Sequence, residues 1–326
     1  VSEAVVQAVP EVGASLADVV VDPVGGLRGL VAPDARLTRL VGGCAWAEGP
    51  VYLPADGSVL FSDIPYDRAV RWWPDRPARV VRQPNGYTNG NSLDRDGRVV
   101  HCEHLERRIS RTEHDGQRHG LVGHYEDRRL NSPNDLVVAS DGSIWFTDPP
   151  YGLLADYEGR AAPPEQPTCR VYRYEPVSGL VTAVTDALEA PNGLAFSPDE
   201  RVLYVADSAG ARIPDGNHHI LAFDVVDGRA LERPRLFAVL EPGLPDGLRV
   251  DEHGNVWSSA GDGVHILDPD GRELGRIGVP EVVANLVFGG RDGRRLFVTA
   301  TTSLYAIDVL VRGAGVAASV ARGQAA

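Results

Sequence analysis

The chain has 326 residues and a formal net charge of −13. That length buries a large core as one big domain or two ordinary ones, and the charge disfavours nucleic acid or an anionic membrane surface as partner. Neither Met nor Lys occurs, which excludes a Walker-type phosphate loop and Schiff-base chemistry, and no apolar run approaches the ~18 residues of a membrane span.

Residues 1–26 lack the basic-then-apolar pattern of a signal peptide and fit no repeat, so they read as an N-terminal extension. The compartment stays open, cytoplasmic or periplasmic and secreted. From Glu48 onward one unit recurs six times: a polar residue, a short apolar run, a turn about seven residues on, and a second apolar run. The copies begin at Glu48, Asn89, Asn134, Asn192, Asp246 and Asn285, and their turns fall at 56–57, 96–97, 141–142, 199–200, 253–254 and 292–293. The anchors lie roughly 40 to 60 residues apart, the range of propeller blades with several strands each. Third strands are expected at 69–72, 170–173 and 219–223. Fourth strands are expected at 79–81, 120–122, 180–183, 235–237 and 273–277. The sixth unit ends near Val311 without an outer strand, and the segment 36–40, ahead of the first anchor, supplies it. Closing a ring this way leaves no unpaired edge. The expectation is an all-β, six-bladed β-propeller over residues 27–311, with 312–326 as a C-terminal tail. Insertions at 153–167 and 209–217 overhang the ring. Three cysteines, Cys44, Cys102 and Cys169, are too few for a disulfide framework and read as free thiols.

Propeller topology gathers the six anchors at one end of the axial channel, where the second strands also finish, at Asp63, Glu103, Asp148 and Asp207 in four blades. So many carboxylates in one mouth repel unless protons or a cation compensate. The donors are carboxylates and carboxamides, which suit a hard, geometrically flexible ion. Calcium is the first expectation, with Mg²⁺, Mn²⁺ or Zn²⁺ as substitutes. Glu48, Asn134, Asn192 and Asp246 are the expected ligands; Asn89 and Asn285 face substrate or close the ring. The run from His101 to His104 is not a zinc cluster, because alternate residues of a strand face opposite ways. His104, just past the strand end, reads either as a structural residue or as one that reaches a bound sugar. No Gly-x-Ser-x-Gly elbow or dinucleotide loop occurs, so the chemistry expected here is metal-assisted.

The strings 47–50, 130–136, 147–152, 190–196 and 245–248, taken in order, resemble the SMP-30/gluconolactonase/LRE-like family, and its bacterial gluconolactonase branch most. The resemblance implies a propeller holding calcium or another divalent ion through a Glu, two Asn and an Asp, here Glu48, Asn134, Asn192 and Asp246. It implies that Asp246 doubles as general acid/base, that Asn134 also touches substrate, and that the substrate is a small sugar lactone. The animal SMP-30 branch carries an Arg two residues before that Asn, where this chain has Ser132, so the sugar hydroxyls must be held otherwise. Asn89, Asn91, Glu103, His104 and Tyr151 are the candidates. Monomer and dimer stay open. Two other readings remain: a hydrolase of organophosphates or of aromatic and long-chain lactones, which predicts an apolar rim, and a non-catalytic binding platform.

Overall fold

The computed structural model describes residues 8–315. Short apolar runs of period two, broken by Asp-Gly turns, favour strands over helices, and the longest helix among the described residues is the four-residue Tyr151–Leu154. No helix there is long and apolar enough to cross a membrane.

Six antiparallel sheets form the blades of the propeller. From the channel outward, blade 1 comprises Ala47–Leu53, Ser58–Asp63, Arg68–Trp73 and Arg76–Arg82, and blade 2 comprises Thr88–Leu93, Val99–Glu103, Arg108–Thr112 and Arg118–Val122. Blade 3 runs Leu136–Val138, Ile144–Thr147, Val171–Glu175 and Leu180–Thr185; blade 4 runs Pro191–Phe196, Val202–Asp207, His219–Val226 and Ala230–Val239. Blade 5 runs Leu248–Val250, Val256–Ser259, Gly263–Leu267 and Glu273–Gly278; blade 6 runs Val283–Gly289, Arg295–Ala300 and Ser303–Asp308. Leu37–Val41 completes blade 6 by pairing with Ser303–Asp308, so the N-terminal strand closes the ring.

The N-terminal extension departs from the expectation that it fits no blade. Ser15–Leu16 pairs with Leu37–Thr38 as a fifth strand of blade 6, and Val20–Val21 pairs with Arg276–Ile277 as a fifth strand of blade 5. The apolar run there explains it: Val19, Leu27, Leu30 and Val31 sink into the core between these two blades. At the other terminus, the Glu252 amide donates to the Arg312 carbonyl and the Ala314 amide to the Val250 carbonyl, each at 2.8 Å, so the start of the tail lies along blade 5. Residues 316–326 of the expected tail lie outside the described residues.

The core is divided like the ring. Six apolar clusters among the described residues each fill one junction between neighbouring blades. The junction of blades 5 and 6 is the largest, and that of blades 1 and 2 is the smallest, with only Val51, Leu60 and Ala69 buried. Polar stitching supplements the small one: Asn91 donates to the Gly49 carbonyl at 2.8 Å and to Ser62 Oγ at 3.0 Å, and Ser62 donates to the Asn89 carbonyl at 2.8 Å.

Candidate functional site

The six anchors lie where the innermost strands begin, at one end of the channel. In four blades the strand register slips beside the anchor, between Glu48 and Val51, Thr88 and Asn91, Pro191 and Leu194, and Val283 and Asn285. Such bulges bend a strand and re-aim its side chains. In blades 3 and 5 the innermost strand starts only at Leu136 and Leu248, which leaves Asn134 and Asp246 in irregular chain just ahead of it.

Backbone bonds between blades hold these positions in mutual register. The amides of Gly90, Gly193 and Gly247 donate to the carbonyls of Asn134 at 2.8 Å, Asp246 at 3.0 Å and Ala284 at 2.7 Å in the following blade. Glycine after the anchor is a packing requirement. A Cβ on Gly193 would stand 2.2 Å from the Asp246 carbonyl oxygen, and one on Gly247 would stand 2.1 Å from the Asn285 amide.

A polar chain crosses the axis below the mouth. Arg249 Nη1 lies 3.5 Å from Asp135 Oδ2, Asn285 Nδ2 lies 3.4 Å from the same oxygen and 3.0 Å from Glu48 Oε2. The Gly49 amide also donates to Glu48 Oε2, so only Oε1 of that carboxylate is left without a protein partner among the described residues. Asn192 lies close enough to the Asp246 carboxylate to favour its charged form. Burial, and then the Asp135 charge, push Glu48 above the usual carboxylate range. Burial, and then the Glu48 charge, push Asp246 well above it. Buried Glu48 and Asp135 thus share the guanidinium of Arg249, and half-buried Asp246 adds a third carboxylate that both of them raise, a deficit of positive charge that a divalent cation would fill.

The remaining expected residues divide sharply. Asn89 and Asn134 are buried, yet their side-chain amides take no hydrogen bond from the described residues. Tyr151 stands beside Asp246 and donates from its hydroxyl to the Ser208 carbonyl at 3.2 Å; burial and then the Asp246 charge raise its pKa. The helix carrying it is anchored by Ser132, whose Oγ accepts from the Gly152 amide at 3.0 Å and donates to the Pro149 carbonyl at 2.6 Å.

Asn91 and Glu103 are used otherwise than expected. Asn91 spends its amide nitrogen on the stitching above and its oxygen on His101 Nδ1 at 2.7 Å. Glu103 accepts from Ser110 Oγ, lies 2.9 Å from Arg108 Nε and 3.5 Å from Arg118 Nη1, and so braces its own blade. Both are buried and already partnered within the scaffold. His104 is sealed beneath the blade-3 insertion: Nδ1 lies 2.8 Å from the Glu158 carbonyl oxygen, which can only accept, so Nδ1 carries the proton. Burial pushes this imidazole down to about 4, and its Nε2 is closed off without a partner. The second-strand acids cap loops. Asp63 accepts from the Ala45 and Trp46 amides at 2.9 and 3.2 Å, Asp207 from those of Glu189 and Ala190 at 2.8 and 2.9 Å, and Asp148 from that of Asn131 at 2.7 Å.

Two residues escaped the sequence reading. Arg249 sits between Leu248 and Val250 on an innermost strand, and alternation alone could have flagged a cation facing the channel. Glu158 lies in the insertion between the second and third strands of blade 3, where no periodicity singles out any position.

Among the described residues, no group of three or more His, Cys, Asp and Glu is arranged to hold a metal. The expected ligand set does not need one, since two carboxylates and two carboxamides are the oxygen donors of a hard cation.

Residues 46–302 match the sequence profile described as the SMP-30/Gluconolactonase/LRE-like region. A gluconolactonase of Zymomonas mobilis is 34% identical over 275 residues, which cover 78% of this chain and 76% of that protein. The pentonolactonase XacC of Haloferax volcanii is 30% identical, over 81% of this chain and 84% of its own. The solved structure of a gluconolactonase from Xanthomonas campestris superposes with a TM-score of 0.85 at 41% identity, covering 92% of this chain and 99% of that one.

Proposed function

Since the chain belongs to the SMP-30/gluconolactonase/LRE-like family, we propose that it is a lactone-hydrolysing enzyme whose substrate is a small sugar lactone, and that it works with one divalent cation, calcium first, held by Glu48, Asn134, Asn192 and Asp246. The observation that carries the cation is the charge deficit at the mouth, where Asp135 raises the pKa of Glu48, both raise that of Asp246, and Arg249 offsets only Glu48 and Asp135. When bound, such an ion supplies Lewis acidity that polarises the lactone carbonyl and steadies negative charge on its oxygen.

The protein's own residues do the rest. Asn285 and the Gly49 amide fix one oxygen of Glu48 and leave the other for coordination. Asn192, beside Asp246, favours its charged form. Asp246 accepts the proton of the attacking water as its oxygen bonds to the carbonyl carbon, and returns that proton to the ring oxygen as the ester C–O bond breaks. The product is the open-chain aldonic acid. Tyr151, Asn89 and Asn134 stand at the mouth as candidate contacts for the sugar.

The test pairs binding with turnover. Calcium titrated calorimetrically into the wild type and Glu48→Gln is expected to bind the variant about ten- to hundredfold more weakly. Acid release from gluconolactone, corrected for spontaneous opening, is expected to vanish with chelator and to return with added calcium. Equal affinities in the two proteins would remove Glu48 from the ligand set, and turnover indifferent to chelator would remove the cation from the mechanism.

A further inference from the structure

Once Asn91 and Glu103 are spent on the scaffold and Ser132 is sunk under the Tyr151 helix, the hydroxyls of a sugar need another acceptor. Nearly every acid at this end is committed. Asp63, Asp148 and Asp207 cap loops, Glu103 braces blade 2, Asp135 is held by Arg249 and Asn285, and Glu48 and Asp246 belong to the proposed cation site. Glu158 is the exception. Its side chain makes no hydrogen bond or ion pair among the described residues, although the residue is half-buried. Burial raises its pKa with nothing among the described residues to offset the cost, and its charge is one of those that raise Asp246, so the two carboxyls lie near enough to interact.

The segment that carries Glu158 is built rather than loose. The Arg160 amide donates to the Gly152 carbonyl at 2.9 Å and the Ala162 amide to the Leu153 carbonyl at 3.1 Å. The Ala161 amide donates to Asp156 Oδ1 at 2.8 Å, and His104 donates to the carbonyl of Glu158 itself at 2.8 Å. Gly159 packs so closely on Gly152 that a Cβ there would stand 2.2 Å from the Gly152 oxygen. Such a frame fixes the segment against His104 and the Tyr151 helix, and neighbouring hydroxyls of a sugar are complementary donors for a partnerless carboxylate there.

Resting on the lactonase reading above, we propose that Glu158 determines specificity for polyhydroxylated lactones by accepting hydrogen bonds from the substrate's ring hydroxyls, and that His104 is the positioning residue that fixes it. The assignment moves hydroxyl recognition from position 132 to the blade-3 insertion.

Two lactones separate this role from the shared chemistry: D-glucono-1,5-lactone, and δ-valerolactone, which has the same ester ring without hydroxyls. In Glu158→Gln, kcat/KM for gluconolactone is expected to fall about ten- to hundredfold, mainly through KM, as for loss of a charged hydrogen bond. Valerolactone opening is expected to stay within about twofold of wild type and calorimetric calcium affinity within about threefold. Equal losses on both lactones, no loss on either, or a collapse of calcium affinity would each overturn the assignment. A wild type that opens neither lactone would overturn the lactonase reading, and this one with it. His104→Phe is expected to raise KM for gluconolactone alone, and His104→Asn, whose amide can donate to the same carbonyl, to restore it. An unchanged KM in His104→Phe would remove His104 from the argument.

Discussion

Two sets of acids stand at the same end of the ring, one around the axis and one a strand further out. The outer set, Asp63, Glu103, Asp148 and Asp207, points at amides, hydroxyls and guanidinium groups that satisfy it except at one oxygen of Asp148. The inner set, buried Glu48 and Asp135 and half-buried Asp246, has fewer donors than its oxygens can use. Composition makes the two sets look alike. What separates them is whether the fold has already supplied the counter-charge: where it has, a buried carboxylate is scaffold, and where it has not, the missing partner is a ligand.

The sharpest way to break that distinction is to swap the consequences. Asp246→Asn keeps the size and the Asn192 contact but cannot carry a proton back and forth. Turnover of gluconolactone is expected to fall about a thousandfold, with thermal stability unchanged or raised, because a poorly compensated carboxyl is removed. An Asp246→Asn enzyme with wild-type kcat would place the proton transfer elsewhere.

The converse change is in the outer set. Asp63→Ala removes the cap on the Ala45 and Trp46 amides and strands Arg68, whose Nε donates to Asp63 at 2.8 Å. A stability loss of about 2–4 kcal/mol is expected, visible as a Tm lower by several degrees, with kcat in the folded fraction within about tenfold of wild type. If catalysis collapsed while Tm held, the outer acids would be functional after all and the distinction would fail.

The fold was legible because it repeats. Six anchors with turns seven or eight residues on define blades, and the orphaned sixth unit points to Leu37–Val41 as its missing strand. Membership of the mouth was legible for the same reason, since topology alone carries Glu48, Asn192 and Asp246 to one end. Orientation was not. Asn91 lies two residues past an anchor and Glu103 ends a second strand, and only three-dimensional contacts reveal that His101 and Arg108 have claimed them. The extension at 15–21 was misread because edge strands of two residues are too short to show periodicity. Glu158 was invisible for a related reason: its segment is fixed by backbone contacts within the insertion and by His104, 54 residues earlier in the chain.

Asp148 tests the boundary between the two sets, because it belongs to the outer one but lacks a close cation. Burial pushes it from its ordinary value near 3.8 to about 7, even though the Asn131 amide hydrogen-bonds one oxygen; the other oxygen is buried without a partner. The folded chain therefore keeps a proton that the unfolded chain has already released. As pH rises from about 4 to about 7, Asp148 withdraws stability at up to about 1.4 kcal/mol per pH unit, and above that window both states are ionised and its contribution is constant. Asp148→Asn holds the same amide and does not titrate. The Tm of the variant relative to wild type is thus expected to climb between pH 4 and pH 7 and then level off. A difference that stays flat across that range would mean Asp148 is ionised in the folded protein, with a counter-charge that places it beside Asp63 rather than between the two sets.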